Sequence, residues 1–306
     1  MSRYRTAGAF LALAAIWGSA FMAINAGLAY FPPVLFAALR FDIAGVAMLA
    51  YAWYVADDPI PHGRDEWSVV VVGAVLIIAA YHALLFIGES DPAVTSAVAA
   101  VIVSLSPVLT TVFARAFLPS ERLTVVGVIG LLVGLGGATV LAAPDPGNLT
   151  GGGTGAKFLV FLAAAAFALG SVLTRALDSG LEIETMEAWS MLLGAGITHL
   201  AAAALGESTR DIVWTAEATL TLGYLAIVAS GIGFLIYFEL LERLGPIEIN
   251  LVSYVAPVFA ALSGWIVLNE GITATTVAGF LLICAGFALV KRSAIREELR
   301  RKGLVS

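Results

Sequence analysis

One arginine stands deep inside an apolar stretch of this chain. Arg40 follows Pro33 by seven residues in PVLFAALRFDIAGVAML, which on a helix places it about 10 Å from the helix start. A permanent charge at that depth needs a cavity or a compensating partner. A guanidinium there can grip a carboxylate with two parallel N–H donors; a structural ion pair or snorkelling to the near surface would use it equally well. Asp42 is two residues on, about 200° around a helix, so the two side chains do not face each other. Tyr81 and His82 lie mid-way along another apolar stretch. An imidazole there binds polar groups or titrates near neutral pH, or simply bonds a neighbouring helix. Trp17, Asn25, Tyr237, Asn250 and Tyr254 are further polar or amphipathic groups in apolar surroundings. They suit a zwitterionic ligand or helix-to-helix hydrogen bonds. Glu239, followed by Glu242 and Arg243, sits near the end of its stretch. With His82 it is a candidate for proton coupling, provided that it is buried.

Other apparent chemistry dissolves on inspection. Gly151-Gly152-Gly153-Thr154-Gly155-Ala156-Lys157 lacks the Gly before the lysine, and Phe158 stands where a phosphate loop needs Ser or Thr. Asp57, Asp58, His62, Asp65 and Glu66 show no repeated metal-ligand spacing, and no metal or cofactor is expected. His199 lies among alanines and reads as structural. The single Cys284 excludes a disulfide framework. The remaining acids, Glu89 with Asp91, Asp145, Glu207 and Asp211, read as loop residues. Such acidic loops, with arginine outnumbering lysine, fit a high-salt environment; a GC-rich genome gives the same arginine bias.

These residues are carried by ten long apolar stretches, at 7–28, 34–56, 67–88, 92–117, 123–142, 156–177, 186–205, 217–240, 246–268 and 273–291. Sixty per cent of the 306 residues are hydrophobic and 12% are charged. Soluble domains carry about 25% charged residues. Each stretch has about 20 residues, enough to cross about 30 Å of hydrocarbon. With no alternation of apolar and polar residues a membrane barrel is excluded, and helices satisfy the backbone. The first stretch reads as a retained helix.

Basic residues set the topology. With the N-terminus in the cytoplasm, Arg3, Arg5, Arg64, Arg115, Arg122, Arg175, Arg243 and the basic tail from Lys291 to Lys302 all fall inside. Only Lys157 and Arg210 fall outside. The chain also repeats itself. Pro107-Val108 returns as Pro257-Val258, Leu118 as Leu268 and Glu121 as Glu270. Thr124, Val128, Gly130, Leu132 and Gly137 return as Thr273, Val277, Gly279, Leu281 and Gly286, and Gly18-Ser19 is answered by Gly170-Ser171. Five helices per copy is an odd number, so the second copy is inverted, as in secondary transporters with a site near mid-membrane. The expected units are 1–148, 149–292 and a basic cytoplasmic tail, 293–306. Pro107 and Pro257 would interrupt their helices, each freeing a carbonyl, and are candidate hinges.

Trp17-Gly18-Ser19, Leu39-Arg40-Phe41 and two Pro-Val helices each followed by a glutamate loop resemble the EamA-type branch of the drug/metabolite transporter (DMT) superfamily. The resemblance covers essentially the whole chain. It implies an all-α membrane fold of ten helices in two inverted five-helix repeats, a central cavity and carriage of small metabolites, often amino-acid export. Small four-helix relatives couple to protons through a glutamate in helix 1; helix 1 here has no acid, so that mechanism does not carry over. The expectation is a secondary transporter, not an enzyme, in the plasma membrane with both termini cytoplasmic. Its partners would be a small-molecule substrate and the lipid bilayer, with no nucleic acid, and it would act as a monomer or homodimer. Another cargo, such as a sugar conjugate, lipid or drug, is the first rival; a membrane-embedded transferase is the second. The latter lacks converging catalytic acids, nucleophile or metal cluster.

Overall fold

The computed structural model describes residues 3–94, 99, 102–118, 124–142, 153–177, 179–259, 274–290 and 292. Glu121, Glu270, Leu268, Thr273, Asn148 and the basic tail from 293 lie outside these residues. The described helices are α1 Arg3–Gly27, α2 Pro33–Val55, α3 Gly63–Glu89, α4 Ser106–Phe117, α5 Val125–Ala142, α6 Thr154–Leu177, α7 Ile183–Ala204, α8 Ala216–Leu244, α9 Pro246–Phe259 and α10 Ala274–Val290. No strand occurs among the described residues. α1, α2, α3, α6 and α8 are each long and apolar enough to cross a membrane.

Polar residues at the helix ends fix the order of packing. Glu207 accepts from the Val34 and Leu35 amides at 3.1 and 2.6 Å, filling vacant donors at the start of α2. Thr215 caps α8 by accepting from the Ala218 amide at 3.0 Å. At the opposite ends Trp189 donates to the Pro59 carbonyl at 2.8 Å and Thr185 to that of Asp58 at 3.1 Å. Between them, small residues let backbones meet, as lipid-embedded helices require. Gly45 of α2 abuts Leu192 of α7, Gly73 of α3 abuts Ser190, and Gly130 and Gly134 of α5 abut Gly286 of α10.

Two features differ from a plain ten-rod bundle. First, α3 and α8 are not uniform: each contains a π-helical stretch, Gly73–Ala80 and Tyr224–Ile232. The offset that carries Pro107 onto Pro257 carries the first to within two residues of the second, so the distortion belongs to the repeat. Second, the proline helices break ahead of the prolines, not at them. A turn at Ser104-Leu105 precedes α4, where Leu105 donates to Ile102 at 3.0 Å, and Pro107 sits in the first turn, a position where its missing N–H costs nothing. α9 breaks at Asn250-Leu251, where Ser253 donates to Asn250 and Tyr254 to Leu251. The carbonyls that the prolines free are both occupied: Ser106 donates to Val103 at 2.7 Å, and Ser104 to Ser253 at 3.1 Å.

Candidate functional site

Trp17, Phe21 and Ile24 of α1, Arg40 of α2, Tyr81, His82 and Leu85 of α3, Phe167 of α6, Phe234 of α8 and Pro257 of α9 surround a cavity of about 50 Å³. Both halves of the chain contribute. The π-helical stretch of α3 runs directly into Tyr81-His82, and that of α8 into Gly233-Phe234, so both distortions end at cavity walls. π-Bulges often mark functional sites because they re-aim the following turn.

Arg40 is buried, 3% exposed. Its Nε donates to the Ser230 hydroxyl at 2.6 Å, and the guanidinium carbon lies 5.1 Å from the centre of the Phe41 ring. Among the described residues no carboxylate pairs with it. Asp42, on the other face as expected, pairs instead with His199 at 2.7 Å, half-exposed on both sides. His82 is buried with Nδ1 3.0 Å from the Ile78 carbonyl, its ring packed on Phe41, Phe86 and Phe234. Tyr81 packs on Phe167. Trp17 donates to the Ala229 carbonyl at 3.1 Å and packs against Phe167, Phe234 and Tyr237.

Beneath this layer lies a buried polar chain. The Tyr237 hydroxyl meets that of Ser171 and reaches Asn250 Oδ1 at 3.2 Å; Asn250 Nδ2 donates to Thr110 at 2.8 Å. Phe238, packed edge-to-face against Tyr237, lines a second cavity of about 370 Å³ with Thr174, Ser179, Glu182, Glu184 and Glu242. Tyr237 thus stands between the cavities.

The structure brings Trp17, Arg40, Tyr81 and His82 together and separates the other expected site residues from them. Asn25 is exposed and lines neither cavity. Tyr254 is fully buried; its hydroxyl donates to the Leu131 carbonyl at 2.8 Å, and its ring fills the notch left by Gly134. Glu239 is not buried: Arg243, one turn on, pairs with it at 2.7 Å. Glu89 corrects the loop assignment. It ends α3, is 6% exposed, and neither carboxyl oxygen has a hydrogen-bond partner. Glu187 of α7 is likewise buried without a partner. Outside the spans, Tyr30 donates to Glu217 at 2.8 Å, and that bond holds its phenol above the usual range. Among the described residues no His, Cys, Asp and Glu cluster fits a metal ion. Ser230, Phe167 and Phe234 escaped sequence reasoning because nothing in a Ser or Phe within an apolar helix marks which way it faces.

Comparison with known proteins identifies the family of this fold. The profile of the EamA-like transporter family matches residues 6–143 and again 155–292. The chain is 30% identical over 258 residues to YedA of Escherichia coli strain K12, named as an uncharacterised inner membrane transporter, covering 84% of this chain and 81% of the relative. It is 25% identical over 271 residues to the uncharacterised transporter YoaV of Bacillus subtilis, covering 89% and 91%. A solved crystal structure, 25% identical in sequence, superposes with a TM-score of 0.80 over 97% of this chain and all of that one.

Proposed function

Because the chain belongs to the EamA-like transporter family, two copies of whose pattern it carries, we propose that it moves a small amphipathic metabolite bearing a carboxylate, such as an amino acid. The observation that carries this reading is Arg40: a buried guanidinium in the wall of a cavity between the halves, with no carboxylate of the described protein paired to it. A buried charge left uncompensated costs several kcal/mol, and an anionic ligand supplies the compensation. Trp17, Phe21, Phe167 and Phe234 offer the ligand's apolar body a matching surface.

The mode is alternating access, with export the expected direction. Room for only a few waters means that the walls must part to admit a metabolite. α4 and α9 are built for such movement: each breaks beside the cavity and the two are tied by side-chain bonds rather than continuous helix. The basic residues place both termini in the cytoplasm of a plasma-membrane protein, with the second, larger cavity facing inward.

Arg40→Lys tests the clamp. It keeps the charge but loses the bidentate grip, so efflux or uptake of an amino acid in proteoliposomes should drop markedly while the detergent-solubilised yield stays near normal. Full activity of Arg40→Lys, combined with poor yield of Arg40→Ala, would instead make Arg40 a structural residue.

A further inference from the structure

We propose that Glu89 makes one closure of the transport cycle proton-dependent, taking up a proton whenever the end of α3 that bears it closes. The proposal rests on the transport reading above and goes beyond it by naming the group whose protonation permits that closure.

Three observations carry it. Glu89 is 6% exposed, and both its carboxyl oxygens are shielded and without hydrogen-bond partners among the described residues. It also lies on the cavity-facing stripe of its helix. His82 and Leu85 line the cavity, and Glu89 follows them at i+7 and i+4, the spacing of one helical face. Finally, among the described residues no counter-charge is paired with Glu89. Helix α3 packs here on α6, where Gly88 meets Val160 and the Ala156 carbonyl, and on α2. The charged or titratable groups of these elements are Lys157 and Arg175 on α6, Arg40, Asp42, Tyr51 and Tyr54 on α2, and Glu66, Asp65, Arg64, Tyr81 and His82 on α3 itself, with Asp91 in the loop beyond. None is hydrogen-bonded or ion-paired to Glu89 among the described residues. Asp91 is occupied, its Oδ1 accepting from the Ala93 amide at 2.8 Å.

An ionised carboxylate in such a site has nothing to replace its lost water. The closed arrangement therefore admits only the neutral acid. In the open arrangement water reaches the group, and the carboxylate forms by giving its proton to water. Closure then requires the reverse transfer, from hydronium to a carboxylate oxygen, so each closure of this end takes up one proton from the side it faces and each reopening returns it to that side. Glu239, near the end of α8, supplies an internal comparison. It has Arg243, four residues on, as counter-ion at 2.7 Å and can stay ionised throughout; Glu89 has Ala93 at that spacing and cannot.

The test uses the full chain in proteoliposomes with radiolabelled L-phenylalanine as probe, chosen for its carboxylate and apolar body. Exchange without a gradient is measured over a range of pH. Glu89→Gln mimics the neutral acid, so its exchange at acid pH should stay within about twofold of the parent, while the roughly tenfold fall of parent exchange per pH unit on the alkaline side should be lost. Glu239→Gln should keep the parent's fall. Retained exchange shows that the variant is folded. In parallel, the infrared carbonyl band of protonated buried carboxyls should titrate in the parent and in Glu239→Gln, and lose the Glu89 component in Glu89→Gln while keeping that of Glu187. An alkaline fall intact in Glu89→Gln overturns the proposal. So does loss of exchange at every pH with normal yield, which would make Glu89 structural, or parent exchange that ignores pH, which leaves the transport reading standing. Absence of any exchange by the parent overturns that reading, and the proposal with it.

Discussion

The residue that organises the cavity, Arg40, is itself organised by one hydroxyl. Ser230 holds the guanidinium Nε at 2.6 Å and leaves the two Nη groups as the free fork. A hydrogen bond to a charged group contributes about 1.5–3 kcal/mol. Ser230→Ala should therefore let the fork wander and raise the KM for a carboxylate substrate by roughly tenfold or more, with normal yield and a maximal rate changed far less. Proteoliposome kinetics decide it: an unchanged KM would mean that Phe41 and the helix backbone already fix the guanidinium. Arg40, Tyr81, His82 and Trp17 were legible in the sequence because each is a costly or amphipathic group at mid-span. Ser230 was not, since a serine in an apolar helix normally bonds its own backbone, as Ser171 and Thr174 also do here. Glu89 was misread for a related reason. An acid beside Asp91 at the edge of an apolar run looks like loop charge, and only packing against Ala156 and Val160 shows the end of α3 to be covered.

Helix packing depends on which glycines face a neighbour. A β-carbon on Gly286 would lie 2.5 Å from the Gly134 amide nitrogen and 2.7 Å from the Gly130 carbonyl, whereas one on Gly136 would meet nothing within 4 Å. Backbone atoms cannot move aside as a side-chain tip can. Gly286→Ala should thus force α5 and α10 apart and cost about 1–3 kcal/mol, seen as a lower melting temperature of the purified protein. Gly136→Ala should be neutral or stabilise by up to about 1 kcal/mol through helix propensity. Equal melting temperatures for the two variants would contradict this packing. Among the glycines of α5 the structure sets Gly130, Gly134 and Gly137 against α10 and Tyr254 and turns Gly136 away, a division that a run of small residues does not announce. The same limit applies to the prolines. Their recurrence marked both broken helices, but the breaks stand at Ser104-Leu105 and Asn250-Leu251. The freed carbonyl of Ser253 is taken by Ser104 of the other repeat, a pairing that only the folded chain brings together.

At the scale of the whole molecule the two halves are related in sequence but not equivalent in the hydrogen bonds they build. The chain Ser171, Tyr237, Asn250, Thr110 ties α6, α8, α9 and α4 together between the two cavities. Under the offset that carries Pro107 onto Pro257, Tyr237 falls on Ile87, which has no hydroxyl to build a matching seal. Inverted repeats made of identical parts would interconvert between states of equal energy; here one closure has hydrogen bonds that the other lacks. Removing the Tyr237 hydroxyl leaves the buried Asn250 Oδ1 without its donor, at a cost of about 1–3 kcal/mol. That cost falls on the sealed state alone, so Tyr237→Phe should raise the population open to the second cavity by roughly five- to a hundredfold where it was minor. Thr174 reports on it, being 7% exposed and lining that cavity. In a Cys284→Ala background, which removes the exposed native thiol, a Thr174→Cys probe should react faster with a membrane-impermeant maleimide from the cytoplasmic side once Tyr237→Phe is added. Ligand that occupies the closed cavity should slow the reaction again. If the labelling rate ignores Tyr237→Phe, the polar chain is a packing feature rather than the seal. If labelling proceeds only from the opposite face, the orientation drawn from the basic residues is reversed.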